Sequence, residues 1–137
     1  MRKSILLILL IAFTFSCQNN IEQTKAIKYL ENVAVLTNES QKLPRKVDEV
    51  TIAEKVVFDN NKFIMTYSYK LLIEDYDKNE LINTLKEIEL EQIQRAKENQ
   101  GNDKAYKLLN VIINNIYKDS NDKEIYSFSI KPEQYLQ

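Results

Sequence analysis

Histidine is absent from the chain, tryptophan is absent, and cysteine and glycine occur once each, as Cys17 and Gly101. Without histidine the commonest general base, metal ligand and neutral-pH switch is missing. A single cysteine excludes an intramolecular disulfide. A single glycine excludes the glycine-rich loops that cradle phosphate in P-loop and dinucleotide-binding folds. Charge of one sign is also lacking, because 19 basic residues face 20 acidic ones for a net charge of −1. A nucleic-acid partner would call for a clustered basic face, so none is expected. This inventory leads us to expect no cofactor, no metal and no small-molecule ligand.

What is present begins with an apolar run. Arg2 and Lys3 precede Ile5–Phe15 (ILLILLIAFTF), an eleven-residue stretch that suits the core of a signal peptide. It is short for a membrane-crossing helix, which needs about 20 residues. Thr14, Phe15, Ser16 and Cys17 follow. A small residue directly before a cysteine at the end of such a run resembles the bacterial lipobox. Here Thr14 takes the place usual for leucine, and bulky Phe15 precedes Ser16. The resemblance implies cleavage between Ser16 and Cys17, lipid on the Cys17 thiol, and two or three acyl chains, enough for stable membrane anchoring where one is marginal. Gln18 rather than aspartate follows Cys17, so the inner-membrane retention signal is missing. A cell-envelope location is expected, at the periplasmic face of the outer membrane in preference to the inner one.

Residues 1–16 are thus read as a signal peptide, 17–24 as a polar, lipid-anchored tether and 25–137 as a single domain. Loss of Arg2 and Lys3 would leave 17 basic against 20 acidic residues. The chain is 44% hydrophobic and 28% charged, which is globular rather than disordered.

Within the domain, Ile27, Leu30 and Val33 or Ala34 recur at helical spacing, predicting a helix from about Ile21 to Thr37. Asn38–Lys46 is polar, contains Pro44, and reads as a loop. Val50–Phe58 and Lys62–Ile73 alternate as strands, with Asn60-Asn61 as a two-residue hairpin turn. Asp77 with Glu80 fits a capping box, opening a helix over Lys78–Asn99 with Leu81, Leu85 and Ile88 as its stripe, widened by Ile82, Ile93 and Ala96. Gly101 follows, where a left-handed residue would end the helix. Asp103 caps a short helix through about Leu109. Val111–Lys118 and Glu124–Lys131 form a second hairpin around Asp119–Lys123, although Lys104–Tyr117 could instead be one helix. Pro132 ends the last strand. The expected fold is α+β in the order α-β-β-α-β-β, with helices on one face of a four-stranded antiparallel sheet.

Few groups are candidates for chemistry. Glu74, Asp75 and Asp77 could hold a hard cation, but capping and solvation account for them better. Glu87, Glu89 and Glu91 with Lys86, Arg95 and Lys97 read as a solvated face with weak ion pairs. Ser68 and Lys70 share a strand face and could form a dyad, although geometry rather than spacing identifies such pairs. Tyr67, Tyr69, Tyr117 and Tyr126 fall on strands, as an exposed contact face or, preferably, as lining of the sheet–helix core.

Leu43-Pro44, Val47-Asp48-Glu49 and Thr51 before the first hairpin, with Ile116–Asp119 leading to Tyr126–Ile130, resemble small exported bacterial proteins without an assigned activity. The resemblance covers about residues 30–131 and implies an α+β domain; such proteins often carry a cysteine pair, and this chain has none. The expected function is a non-enzymatic, membrane-anchored interaction module whose partner is an envelope protein. The alternatives are an immunity or inhibitor lipoprotein directed at a secreted toxin and, third, a hydrolase built on carboxylates or Ser–Lys.

Overall fold

The computed structural model describes residues 2–137, with side-chain environments from Asn20 onward. The signal segment 1–16, the cleavage pair Ser16 and Cys17, and the lipidation of Cys17 therefore lie outside the described side chains. Nine elements follow in order: α1 Arg2–Ser40, β1 Arg45–Lys46, β2 Thr51–Asp59, β3 Ile64–Leu71, α2 Lys78–Asn99, α3 Lys104–Leu109, β4 Ile112–Lys118, β5 Glu124–Ile130 and α4 Pro132–Tyr135.

The strands form one sheet in sequence order, β1-β2-β3-β4-β5. Both expected hairpins are present as antiparallel pairs, β2 with β3 and β4 with β5. The central pair differs from expectation: β3 and β4 run parallel, Tyr67 beside Asn115 and Tyr69 beside Tyr117. The reason lies in the connection. A parallel neighbour needs a crossover of a dozen or more residues, and α2 and α3 supply it. The sheet also has a fifth strand, because Arg45 and Lys46 in the expected loop pair with Ala53 and Ile52. The α+β class and the placement of helices on one face hold.

That face is set by strand alternation. Met65, Tyr67, Tyr69 and Leu71 of β3 and Ile113, Asn115 and Tyr117 of β4 point to the helical layer, where Leu30 and Ala34 of α1, Leu85 and Ala96 of α2 and Leu109 of α3 are buried. The opposite face carries an ion network instead: Lys70 Nζ lies 2.6 Å from Asp122 and 3.7 Å from Glu54, and Lys118 Nζ lies 3.0 Å from Glu54. Glu54 reaches both lysines from a bulge between Ala53 and Lys55.

Side-chain caps define the helix ends. Asp77 Oδ1 accepts from the Asn79 and Glu80 amides at 2.8 and 3.0 Å, and Asp103 Oδ1 accepts from Ala105 and Tyr106 at 2.8 and 3.2 Å. Among the described residues no return bond from Glu80 completes the expected box. α3 stops at Asn110, which adopts a left-handed φ of 49°. A left-handed residue there is why Lys104–Tyr117 is a helix followed by a strand and not one helix.

Three local expectations are corrected. The first hairpin turns through Asn60–Phe63 rather than two asparagines: Asp59 Oδ1 accepts from the Asn61 and Lys62 amides, and the positive φ, 53°, falls on Phe63, whose ring packs on the core. Gly101 has no positive φ; a Cβ there would overlap the Lys97 carbonyl oxygen and lie 2.8 Å from the Tyr135 carbonyl oxygen. The glycine is needed for close approach of two backbone segments, not for a left-handed turn. Finally, the expected tether is helical from Asn20 on, where Thr24 Oγ1 donates to the Asn20 carbonyl at 2.8 Å.

The Asn38 side chain fastens α1 to the edge of β2. Asn38 Oδ1 accepts from the Val56 amide at 2.8 Å, and Asn38 Nδ2 donates to the Val56 carbonyl at 2.8 Å and the Ala34 carbonyl at 2.9 Å. It does for β2 what a neighbouring strand would do, beyond the point where the two residues of β1 end.

Candidate functional site

None of the sequence candidates for catalysis is assembled. Ser68 is buried on the sheet face away from the helices, while Lys70 is engaged by Asp122 and Glu54. Glu74, Asp75 and Asp77 are exposed, and Asp77 is occupied as a helix cap. Among the described residues no group of carboxylates is placed to hold a metal ion, and no Asp or Glu is buried. The buried acidic cluster that a carboxylate hydrolase needs is thus not formed by these residues.

The tyrosines line the core, as the sequence favours. Tyr69 stacks on Tyr117 with centroids 4.9 Å apart and planes 15° apart, and Tyr117 continues to Phe128 at 6.3 Å. Tyr126 lies against Phe128 at 6.0 Å and donates to Glu89 Oε2 at 2.6 Å. Tyr106 meets Tyr135 edge-on at 6.2 Å, and the Tyr135 hydroxyl donates to the Val111 carbonyl at 2.5 Å. Aromatic pairs in these geometries add about 0.5–1.5 kcal/mol beyond area burial.

Burial holds these phenols in their neutral form. Tyr69 is pushed up to about 12, first by desolvation and then by Tyr67 beside it, with the Arg95 charge opposing. Desolvation likewise raises Tyr106, Tyr117 and Tyr135. An unfolded tyrosine titrates near about 10. The stability from these neutral phenols is therefore fully present below about pH 10, and it falls as pH rises through the folded values, because the unfolded chain releases the protons first. Alkaline titration should show the buried phenolates appearing together with loss of near-ultraviolet dichroism. Gradual ionisation of Tyr69 and Tyr117 in a folded chain near pH 10 would contradict the packing described.

Between α2 and this tyrosine floor runs a groove of about 310 Å³, bordered by Tyr67, Tyr69, Arg95, Asn99 and Asn115. It shares Gln41, Tyr67 and Tyr69 with a second hollow of about 180 Å³ that reaches Arg45. No carboxylate borders either hollow. Arg95 stands at the rim on α2, near enough for its charge to lower both Tyr69 and Tyr117. It is in no ion pair among the described residues, so the expected pairing with Glu87, Glu89 or Glu91 does not occur. Asn115 is 2% exposed, and its Nδ2 has no hydrogen-bond partner. Buried amide donors are nearly always satisfied, so this one marks a place where an acceptor belongs.

Arg95 and Asn115 were not singled out as a pair by the sequence. A signal existed for Asn115: it sits between Ile113 and Tyr117 on the inward positions of an alternating strand. No such signal brings Arg95 over it, since the two are joined only through the crossover.

A larger hollow of about 500 Å³ lies between α1 and α3, where the Tyr29 hydroxyl donates to Asp103 Oδ2 at 3.1 Å. It is shallow and mainly apolar, and carries both signs of charge in Glu22, Lys25, Asp103 and Lys104. Among the described residues no helix is long and apolar enough to cross a membrane.

No family model and no curated protein matches the sequence. A match exists among solved structures: the fold is similar to a crystal structure from Pseudomonas aeruginosa described as a "putative secreted protein", at a TM-score of 0.59 and 9% identity, covering 85% of this chain and 95% of that one.

Proposed function

We propose that this chain is an exported lipoprotein, anchored through Cys17, whose domain is a non-enzymatic module that holds an envelope protein. The observation that carries the reading is the chemistry of the groove. Its polar groups are a guanidinium, amides and phenols held neutral by burial. These bind and orient, but they neither attack nor exchange protons near neutral pH. The export and anchor rest on Arg2, Lys3, the apolar run and Ser16-Cys17. The fold shared with the Pseudomonas protein, whose description is a secreted one, agrees with export. An immunity or inhibitor role would be the same module with a toxin as partner.

Mass spectrometry of the mature N-terminus is expected to find a chain starting at acylated Cys17. An unmodified Met1 terminus would reject the anchor. Crosslinking in intact envelopes is expected to recover one partner reproducibly, and repeated recovery of none would reject the module.

A further inference from the structure

We propose that the groove between α2 and the sheet is a receptor for a carboxylate group, gripped by the Arg95 guanidinium, with the Asn115 amide and the Tyr69 hydroxyl as supporting donors. The inference rests on the binding-module reading of this groove and is independent of the lipid anchor.

Three features point to an acceptor-rich, negatively charged ligand. The two adjoining hollows are free of carboxylates, although acidic residues outnumber basic ones in the chain. Both carry an arginine, Arg95 in one and Arg45 in the other, and neither arginine is in an ion pair among the described residues. The register Arg45 to Ala53, and Ala53 to Tyr69, turns Arg45 to the same side of the sheet as the tyrosine floor. Beneath them the Asn115 Nδ2 is a buried donor without a partner. Leaving such a donor unmet costs about 1–3 kcal/mol, which an incoming oxygen would recover directly or through one water.

A guanidinium forms two parallel hydrogen bonds with either a carboxylate or a phosphate, so the choice between them rests on the surroundings. The groove adjoins the last turn of α2, at Ala96, Asn99 and Gln100. The partial negative charge of a helix C-terminus opposes a dianion more than a single negative charge. No glycine-rich nest is available here to offset it.

The carboxylate could be carried by an acidic segment of the partner protein or by a free small acid. Nuclear magnetic resonance titration of the full chain with a tetraglutamate peptide and, separately, with glutarate distinguishes them. Saturable shifts at the Asn115 side-chain amide and at the Tyr67 and Tyr69 amides are expected. A response to the peptide alone assigns the group to a partner protein, and an equal response to glutarate assigns it to a free acid. Arg95→Gln, at an exposed helix position, should weaken binding roughly 10–100-fold without unfolding the chain. Asn115→Leu should also weaken binding, while the thermal midpoint stays level or rises because an orphaned donor is removed. The proposal fails if neither carboxylate saturates, if phosphate binds more tightly than both, or if Arg95→Gln binds as the unaltered chain does. A partner recovered from envelopes whose capture is unaffected by Arg95→Gln would leave the module standing and remove this site. Carboxylate binding with no partner recovered would do the reverse.

Discussion

Asn38→Ala is expected to destabilise the protein by roughly 3 kcal/mol, a large share of the stability of a single domain. The side chain is only partly buried, but it satisfies both backbone groups of Val56, which is 4% exposed. Truncation leaves an amide and a carbonyl unpaired at the edge of β2, with no strand to take them up, since β1 pairs only as far as Ala53. Each buried unmet group costs about 1–3 kcal/mol, and the bond to the Ala34 carbonyl is lost as well. Urea denaturation measures the total. Hydrogen exchange separates the cause: the Val56 amide should lose protection more than the Tyr67 amide on the facing strand. Glu39→Ala, at the neighbouring exposed position, should change stability by no more than about 0.5 kcal/mol. Equal small effects from both substitutions would show that Asn38 does not fasten α1 to β2.

Gly101→Ala is expected to cost about 3 kcal/mol, at the upper end for an added methyl group. The conflict is with the carbonyl oxygens of Lys97 and Tyr135, which belong to the backbone and cannot rotate aside. Relief requires opening the last turn of α2 or lifting α4 away. The second option carries its own loss, because Tyr135 is 1% exposed, its hydroxyl donates to Val111, and the Gln137 amide donates to the Gly101 carbonyl at 3.1 Å. The denaturation midpoint should fall, and the C-terminal residues should become sensitive to carboxypeptidase. Lys104→Ala, three residues on, exposed and not bonded to the tail, should leave both nearly unchanged. A neutral Gly101→Ala would mean that the tail is not docked against α2 in solution.

These two positions show where sequence reasoning ends. The span of α2 was legible because an Asp cap, an apolar stripe and a polar end all act locally. Both hairpins were legible as strand pairs from their alternation, whereas α3 stood open against one helix over Lys104–Tyr117. The role of Gly101 was legible only by half: the Lys97 carbonyl that a Cβ would meet first is four residues back, but that of Tyr135 is 34 positions away in the chain. The parallel pairing of β3 and β4 was hidden. Alternation states which side of a strand faces the core, but not which strand lies beside it, and the stacking of Tyr69 on Tyr117 is settled only once the crossover packs. The two-residue strand β1 has no periodicity at all. Residues 21–24 read both as the start of the first helix and as the end of the tether, because a solvated helix turn shows no apolar stripe that would decide between them. For the groove, the tyrosine floor was readable as core lining, while Arg95 looked like one charge among many on a wet helix face. Its distinction is positional: it looks over a floor without acids.

The helical course of α1 has a consequence for reach. A flexible tether lets a bound domain sample a wide volume, and its effective concentration at any one target is correspondingly diluted. Here the chain is helical from Asn20 to the first buried residue of α1, Ala26, a distance of about 9 Å at 1.5 Å per residue. A lipid on Cys17 would then be joined to the domain by a short stiff spoke. The domain would pivot about the membrane surface rather than roam above it, and the groove would be offered at a restricted height and angle. A partner embedded in the same membrane would meet it often, and one free in the compartment only when it came to the surface.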